Sequence, residues 1–372
     1  MNFKNMIVGF EEKAKEFFLE YKTVIFWTLL IAVLTHIYFF AGRYGNEDSL
    51  FYISGVPAVP SSGRYFYGGL SVDFAPIIIF ALHILEFLIS VLLVLSIFKI
   101  KNKLYSVIIA GFMVTFPVMG YSFSYVQMYD SYTLALLFSV LAVYVSNKYK
   151  YGFLAGGLFC ACCLSVYQAY ITVSMGLSLI LLICELIEND IKTVGKKAGG
   201  FLIFGILGFA LYNMGAWLLG VEISDYKGLN SAGMIPIDRL PELLERTYTD
   251  FIQFFTGKNF GTEITRFFYV PFFIAVVYIL FLIFTVYSLK YIVKRKNPKV
   301  INKVFILISV LLLPFALNFI DFIGVETESD TLTVYAVVLI FIIPFVILEK
   351  YVKNVKNKRG GVQLNASSLK GF

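Results

Sequence analysis

The feature that most constrains this chain is the recurrence of long apolar runs, read at residues 22–41, 74–98, 104–121, 130–147, 151–167, 169–187, 199–219, 267–289, 303–322 and 331–349. A helix rises 1.5 Å per residue, so about 20 apolar residues match the hydrocarbon thickness of a bilayer. Runs of that length, repeated along a chain that is 59% hydrophobic with a mean hydropathy of +0.80, exclude an ordinary soluble domain. The expected fold is an all-α polytopic membrane protein with about ten transmembrane helices.

The cations fix the orientation. Of the 31 Lys and Arg residues, 24 fall in the two ends or in alternate loops, such as Lys99, Lys101 and Lys103, Lys148 and Lys150, and Lys192, Lys196 and Lys197. The positive-inside rule makes that side cytoplasmic, with both termini on it. The other seven, Arg43, Arg64, Lys227, Arg239, Arg246, Lys258 and Arg266, lie on the opposite side with most of the acids. The formal charge of +7 therefore reports topology and not a nucleic-acid partner.

Three regions are expected. Residues 1–21 form a cytoplasmic amphipathic segment, 22–350 the transmembrane domain, and 351–372 a basic cytoplasmic tail. The first apolar run follows about twenty charged, amphipathic residues and reads as an anchor rather than a cleaved signal. Cys160, Cys162, Cys163 and Cys184 all fall inside spans, as small buried hydrophobes would. Two His without a Cys/His spacing motif give no zinc centre.

Inner loops are short, whereas two outer segments are long, 42–72 and 220–266, which places recognition or chemistry on that face. In the second, Leu240, Leu243, Leu244, Tyr248, Phe251, Ile252 and Phe255 recur at helical spacing, with Arg239, Glu242, Glu245, Arg246 and Asp250 opposite. Asp238 can cap this helix, Pro241 fits its first turn and Gly257 can end it. It is expected to lie in the outer interface and roof the bundle.

The first outer loop opens with Asn46, Glu47 and Asp48, is broken by Pro57 and Pro60, and closes with Ser61, Ser62, Gly63, Arg64, Tyr65, Phe66 and Tyr67. A carboxylate here can accept the proton of an acceptor hydroxyl, and the forked guanidinium of Arg64 suits a departing phosphate. The small residues let backbone approach a ligand, and the aromatic rings offer flat surfaces to a sugar or prenyl chain. That set fits transfer of a sugar from a lipid phosphate. The competing reading is a solvated acidic loop with an arginine resting on lipid headgroups.

Asn46, Glu47 and Asp48, then Ser62, Gly63 and Arg64, then Tyr129, Asp130, Ser131 and Tyr132, and Tyr167, Gln168, Ala169 and Tyr170 together resemble the membrane glucosyltransferases of the type II Gtr family, the phage-type O-antigen modifying enzymes. The resemblance covers most of residues 22 to 350 in layout. It implies a GT-C fold, a polyprenyl-phosphate-linked sugar as donor, with glucose favoured, and a surface polysaccharide as acceptor outside the cytoplasmic membrane. It also implies a catalytic acid in the first outer loop, at Asp48 with Glu47 beside it. It departs at the end, where family members often continue further and this chain has a polar tail.

Other residues carry expectations of their own. Substrate contacts are expected from Arg64, Asp130, Gln168, Tyr167, Arg43, Arg239 and Arg266, with Asp130 also placed to N-cap the fourth span and Arg43 to anchor in the interface. Asp321, Glu326, Glu328 and Asp330 offer oxygen ligands to a divalent cation, or form a plain solvated charge run. His36, near the outer end of span one, reads as an interfacial or packing residue rather than a catalytic base. His83 and Glu86 lie three apart on one face of span two, where ionisable groups are costly, and either lock helices together or form a proton path. The second case would make the protein a transporter or flippase for a polyprenyl-linked sugar. A third alternative is a non-catalytic subunit of a polysaccharide assembly complex.

Overall fold

The computed structural model describes residues 3–42, 63–66, 76–125, 128–221, 235–256, 271–294, 299–324 and 331–350. All regular structure in them is helical: α1 (Phe3–Gly42), α2 (Pro76–Phe98), α3 (Lys103–Thr115), α4 (Pro117–Ser122), α5 (Tyr129–Lys148), α6 (Gly152–Val166), α7 (Ile171–Glu188), α8 (Ile191–Leu218), α9 (Leu240–Thr256), α10 (Pro271–Lys294), α11 (Val300–Leu317), α12 (Phe319–Ile323) and α13 (338–350). Within the described residues, the apolar runs read from the sequence fall on these helices, some of them broken or opened by 3₁₀ turns. Among the described residues six stretches are long and apolar enough to cross a membrane, Phe18–Phe39, Ile77–Phe98, Lys103–Ser122, Gln168–Glu188, Ile191–Leu218 and Val300–Leu317. The molecule is an all-α polytopic membrane protein.

Three spans, besides span nine, which breaks at Asn318 between α11 and α12, depart from the uniform helices expected. Span three breaks at Phe116, whose ψ of 128° leaves the helical region because Pro117 follows it at the first position of α4. Span six starts with a 3₁₀ turn, Gln168–Tyr170, after extended Tyr167. Span ten opens with two such turns, Thr331–Thr333 and Tyr335–Val337, so its α-helical part is only 338–350. Irregular backbone at membrane depth is tolerated where protein covers it. Here the three breaks cover one another. The Tyr335 hydroxyl donates to the Met113 carbonyl at 2.7 Å, its ring stacks on Tyr170 at 5.4 Å, and Phe116 meets it edge-on at 5.9 Å.

Helix α6 is packed between α5 and α8, α2 lies against α5, and α1 covers α2 and α3. Helices α6 and α8 approach closely at Gly208 of α8, where a Cβ would collide with Cys160 of α6. The four cysteines are free, as expected of packing residues. Outward faces carry Leu202, Ile206, Trp217, Leu282, Leu307 and Leu311. That apolar exterior is what a hydrocarbon solvent requires.

The two ends of the bundle differ. At the lysine-rich end, Lys197 pairs with Glu185 at 2.7 Å and Lys350 with Glu188 at 3.1 Å around a cavity of about 510 Å³. Buried Glu349 accepts backbone N–H bonds from Lys101 at 3.0 Å and Asn102 at 3.2 Å, tying α13 to the start of α3. Glu349→Ala strands both donors, a loss of about 1–3 kcal/mol each when buried. The variant is expected to lower the thermal midpoint in detergent by several degrees, with Glu349→Gln in between. An unchanged midpoint in Glu349→Ala would contradict this.

Residues 235–256 sit at the opposite end. Leu243 and Thr247 of α9 are fully buried and Phe254 nearly so, with Phe254 stacked on Phe116 at 5.9 Å and the Tyr248 hydroxyl donating to the Leu311 carbonyl at 2.8 Å. The helix therefore roofs that end, and Leu244 and Ile252 remain exposed. One expectation fails: Arg246 is not on a solvent face. Its guanidinium donates to the carbonyls of Asp321 and, at 2.6 Å, Gly324, where the backbone at the end of α12 has acceptors left over. Asp238 also differs, lying inside a 3₁₀ turn, Ile237–Arg239, that leads into α9.

Candidate functional site

Residues 63–66 are the described part of the loop between α1 and α2, and they are bound to α8 and α6. Gly63 has φ +72°, a conformation L side chains rarely adopt, and a Cβ there would strike the Tyr212 hydroxyl of α8. The Tyr212 hydroxyl donates to the Gly63 carbonyl at 3.1 Å and accepts from Gln168 Nε2 at 3.3 Å. Two residues on, the Tyr65 hydroxyl donates to the Tyr212 carbonyl at 2.8 Å, and the two rings stack at 5.5 Å. Burial pushes the Tyr65 phenol up to about 12, so it keeps its proton, and this bond, across the physiological range. The Phe66 N–H donates to the Ser165 carbonyl at the end of α6 at 3.1 Å.

These ties present Arg64 at the mouth of the bundle. Its guanidinium carbon lies 4.5 Å from the centroid of the Tyr167 ring, and Nη1 points at the Met128 sulfur at 3.8 Å. A thioether is a weak acceptor. Nε is buried, and among the described residues it has no hydrogen-bond partner and no carboxylate pairs with the guanidinium. A buried donor without an acceptor costs about 1–3 kcal/mol, so this arrangement favours an anion that brings oxygens with it. Tyr167 is braced in turn by Tyr132 at 5.0 Å and Tyr170 at 5.8 Å, both edge-on.

Three separate motifs singled out in the sequence thus converge: Gly63–Arg64 from the loop, Tyr132 of the Tyr129–Tyr132 run at the start of α5, and Tyr167–Tyr170 between α6 and α7. Gln168 is buried and directs its amide to Tyr212. Asp130 lies in the first turn of α5, but the N-cap is Met128 without a side-chain cap bond, so the capping role expected of Asp130 is corrected. Its carboxylate falls outside the described residues, as do Arg43, Glu47, Asp48, Asp73, Asp225, Arg266, Glu326, Glu328 and Asp330. Arg239 forms a two-pronged pair with Glu242 of α9, Nε and Nη2 each at 3.2 Å. Asp321 is buried in α12.

The sequence reading missed Tyr212, Met128 and Ser165. Nothing in the run GFALYNMG marks Tyr212, because a tyrosine near the end of a span is ordinary. The Gly63 reading also shifts: its missing Cβ makes room for Tyr212. Gly63→Ala is expected to lower transfer activity about tenfold or more while the protein still inserts, measured as initial rate per folded protein; wild-type rate would contradict it.

The intramembrane pair is a separate cluster. The Thr133 hydroxyl of α5 donates to Glu86 and accepts from His83 Nδ1, both of α2, and the two acid–base groups are 3.6 Å apart. His36 of α1 packs nearby, its Nε2–H donating to the Val114 carbonyl at 2.7 Å and its ring stacked on Phe87 at 5.7 Å, the packing role expected of it. The dyad joins α2 to α5, which is the helix-locking reading of this pair.

Comparison with curated proteins and with solved structures gives no match. A family profile described as Glucosyl transferase GtrII matches residues 46–347, beginning at the acidic loop and taking in all three converging motifs. With that match spanning most of the chain, and with the helical membrane bundle it is laid on, the protein belongs to the GtrII glucosyl transferase family.

Proposed function

We propose that this glucosyltransferase moves glucose from a polyprenyl-phosphate donor to a cell-surface polysaccharide on the extracytoplasmic side of the membrane, as a GT-C-type enzyme. The observation that carries the reading is Arg64, a guanidinium backed by an aromatic ring, with a buried Nε that has no partner among the described residues. It sits at the end of the bundle opposite the lysine-rich one, where a lipid headgroup can enter sideways between helices. Family membership favours transfer over transport, and the His83–Thr133–Glu86 cluster then serves the scaffold.

In the proposed reaction Asp48 or Glu47 takes the proton of an acceptor hydroxyl as that oxygen attacks the anomeric carbon. The bond from that carbon to the phosphate oxygen breaks, and the lipid phosphate leaves with the electron pair. Arg64 balances the charge that grows there, with Arg43, Arg239 and Arg266 as further cations of that face. A single displacement inverts the anomeric centre. Among the described residues no group of three or more His, Cys, Asp or Glu is placed to hold a metal ion, and a divalent cation at the acids 326–330 stands as a proposal.

Donor and sidedness are tested together with right-side-out and inside-out vesicles given acceptor polymer and either polyprenyl-phosphate glucose or a nucleotide glucose. Glucose should reach the polymer only from the lipid donor and only in right-side-out vesicles. Transfer from the nucleotide sugar in inside-out vesicles would overturn the proposal.

A further inference from the structure

Among the described residues Arg64 makes no side-chain hydrogen bond to oxygen that would fix its place, and other ties hold it over Tyr167. The residues before and after it are both tied to one side chain and its backbone: the Gly63 carbonyl to the Tyr212 hydroxyl at 3.1 Å, and the Tyr65 hydroxyl to the Tyr212 carbonyl at 2.8 Å. The residue after the supporting ring, Gln168, also ends on the Tyr212 hydroxyl at 3.3 Å. Tyr212 is 6% exposed, in the outer part of the long helix α8, and its ring stacks on Tyr65.

The geometry points to Tyr212 as a positioning residue for the donor-phosphate site: from α8 it sets where the Arg64 guanidinium stands relative to Tyr167. The assignment rests on the reading of Arg64 as the phosphate-binding group. Its hydroxyl is used in both directions at once, as donor to the loop and acceptor from the turn, so its removal uncouples those two segments from each other as well as from α8. A bidentate cation is sensitive to such a change, because a fork must meet two oxygens at a fixed angle, whereas a point charge tolerates displacement.

The test is a double-mutant cycle on binding, with polyprenyl phosphate itself as the probe and the full-length protein in detergent. Tyr212→Phe keeps the ring and the backbone carbonyl that Tyr65 uses. In the wild-type background it should weaken binding about tenfold with the chain still folded and monodisperse. In an Arg64→Lys background, where the fork is already gone, the same change should weaken binding less than twofold. Equal losses in both backgrounds would show a general packing role and overturn the assignment, and so would no loss in the first. Failure of the wild-type protein to bind polyprenyl phosphate at all would instead overturn the reading of Arg64. Tyr65→Phe, which removes the other tie, serves where Tyr212→Phe fails to fold: it should show the same dependence on the arginine.

Discussion

Arg64→Ala is expected to reduce kcat/KM for the lipid donor by about 10²–10³-fold, the loss typical when a preorganised donor to developing negative charge is removed. The reason is local. Among the described residues the guanidinium has an aromatic face, a weak sulfur acceptor and a buried unpartnered Nε, and no carboxylate to neutralise it. Such a group contributes little to the fold, since the loop is held by Gly63, Tyr65 and Phe66. The thermal midpoint of the variant should therefore stay level or rise as activity falls, the usual opposition of site and stability. Arg64→Lys keeps a charge but loses the fork and its stacking, and should fall between the two. An Arg64→Ala enzyme within twofold of wild type in kcat/KM would remove the phosphate role.

Asp48→Asn is expected to leave the protein in the membrane and to cut transfer by about 10²–10⁴-fold, the range for loss of a general base. An amide matches the carboxylate in size but cannot take the acceptor's proton, so donor affinity should change far less than turnover. Glu47→Gln is the companion experiment. Whichever variant loses more turnover at unchanged donor affinity identifies the base, and retention of full activity in both would take the acidic loop out of the chemistry. Neither side chain lies within the described residues, so this prediction rests on the sequence and on a family match that begins at residue 46.

The spans were legible because bilayer thickness imposes a length. Their irregularities were harder to read. Pro117 announces the break at Phe116, whereas the 3₁₀ turns at Thr331–Thr333 and Tyr335–Val337 depend on Tyr335 finding Met113 and Tyr170 across the bundle. For the site, Arg64, Tyr167 and Gln168 stood out as polar or aromatic groups in outer turns, and they do meet. Tyr212 did not stand out, because its importance comes from a contact 149 residues away in sequence. Arg246 was set opposite the apolar face from its place on the helical wheel. The carbonyls of Asp321 and Gly324, invisible to any local pattern, draw it inward.

The most direct test of the account is the stoichiometry of transfer by the purified protein supplied with polyprenyl-phosphate glucose and surface polysaccharide. One lipid phosphate should be released for every glucose gained by the polymer, with both products absent in Arg64→Ala. Polymer that gains glucose while the lipid donor stays intact, or a donor that crosses the bilayer whole with no glucose transferred, would contradict it.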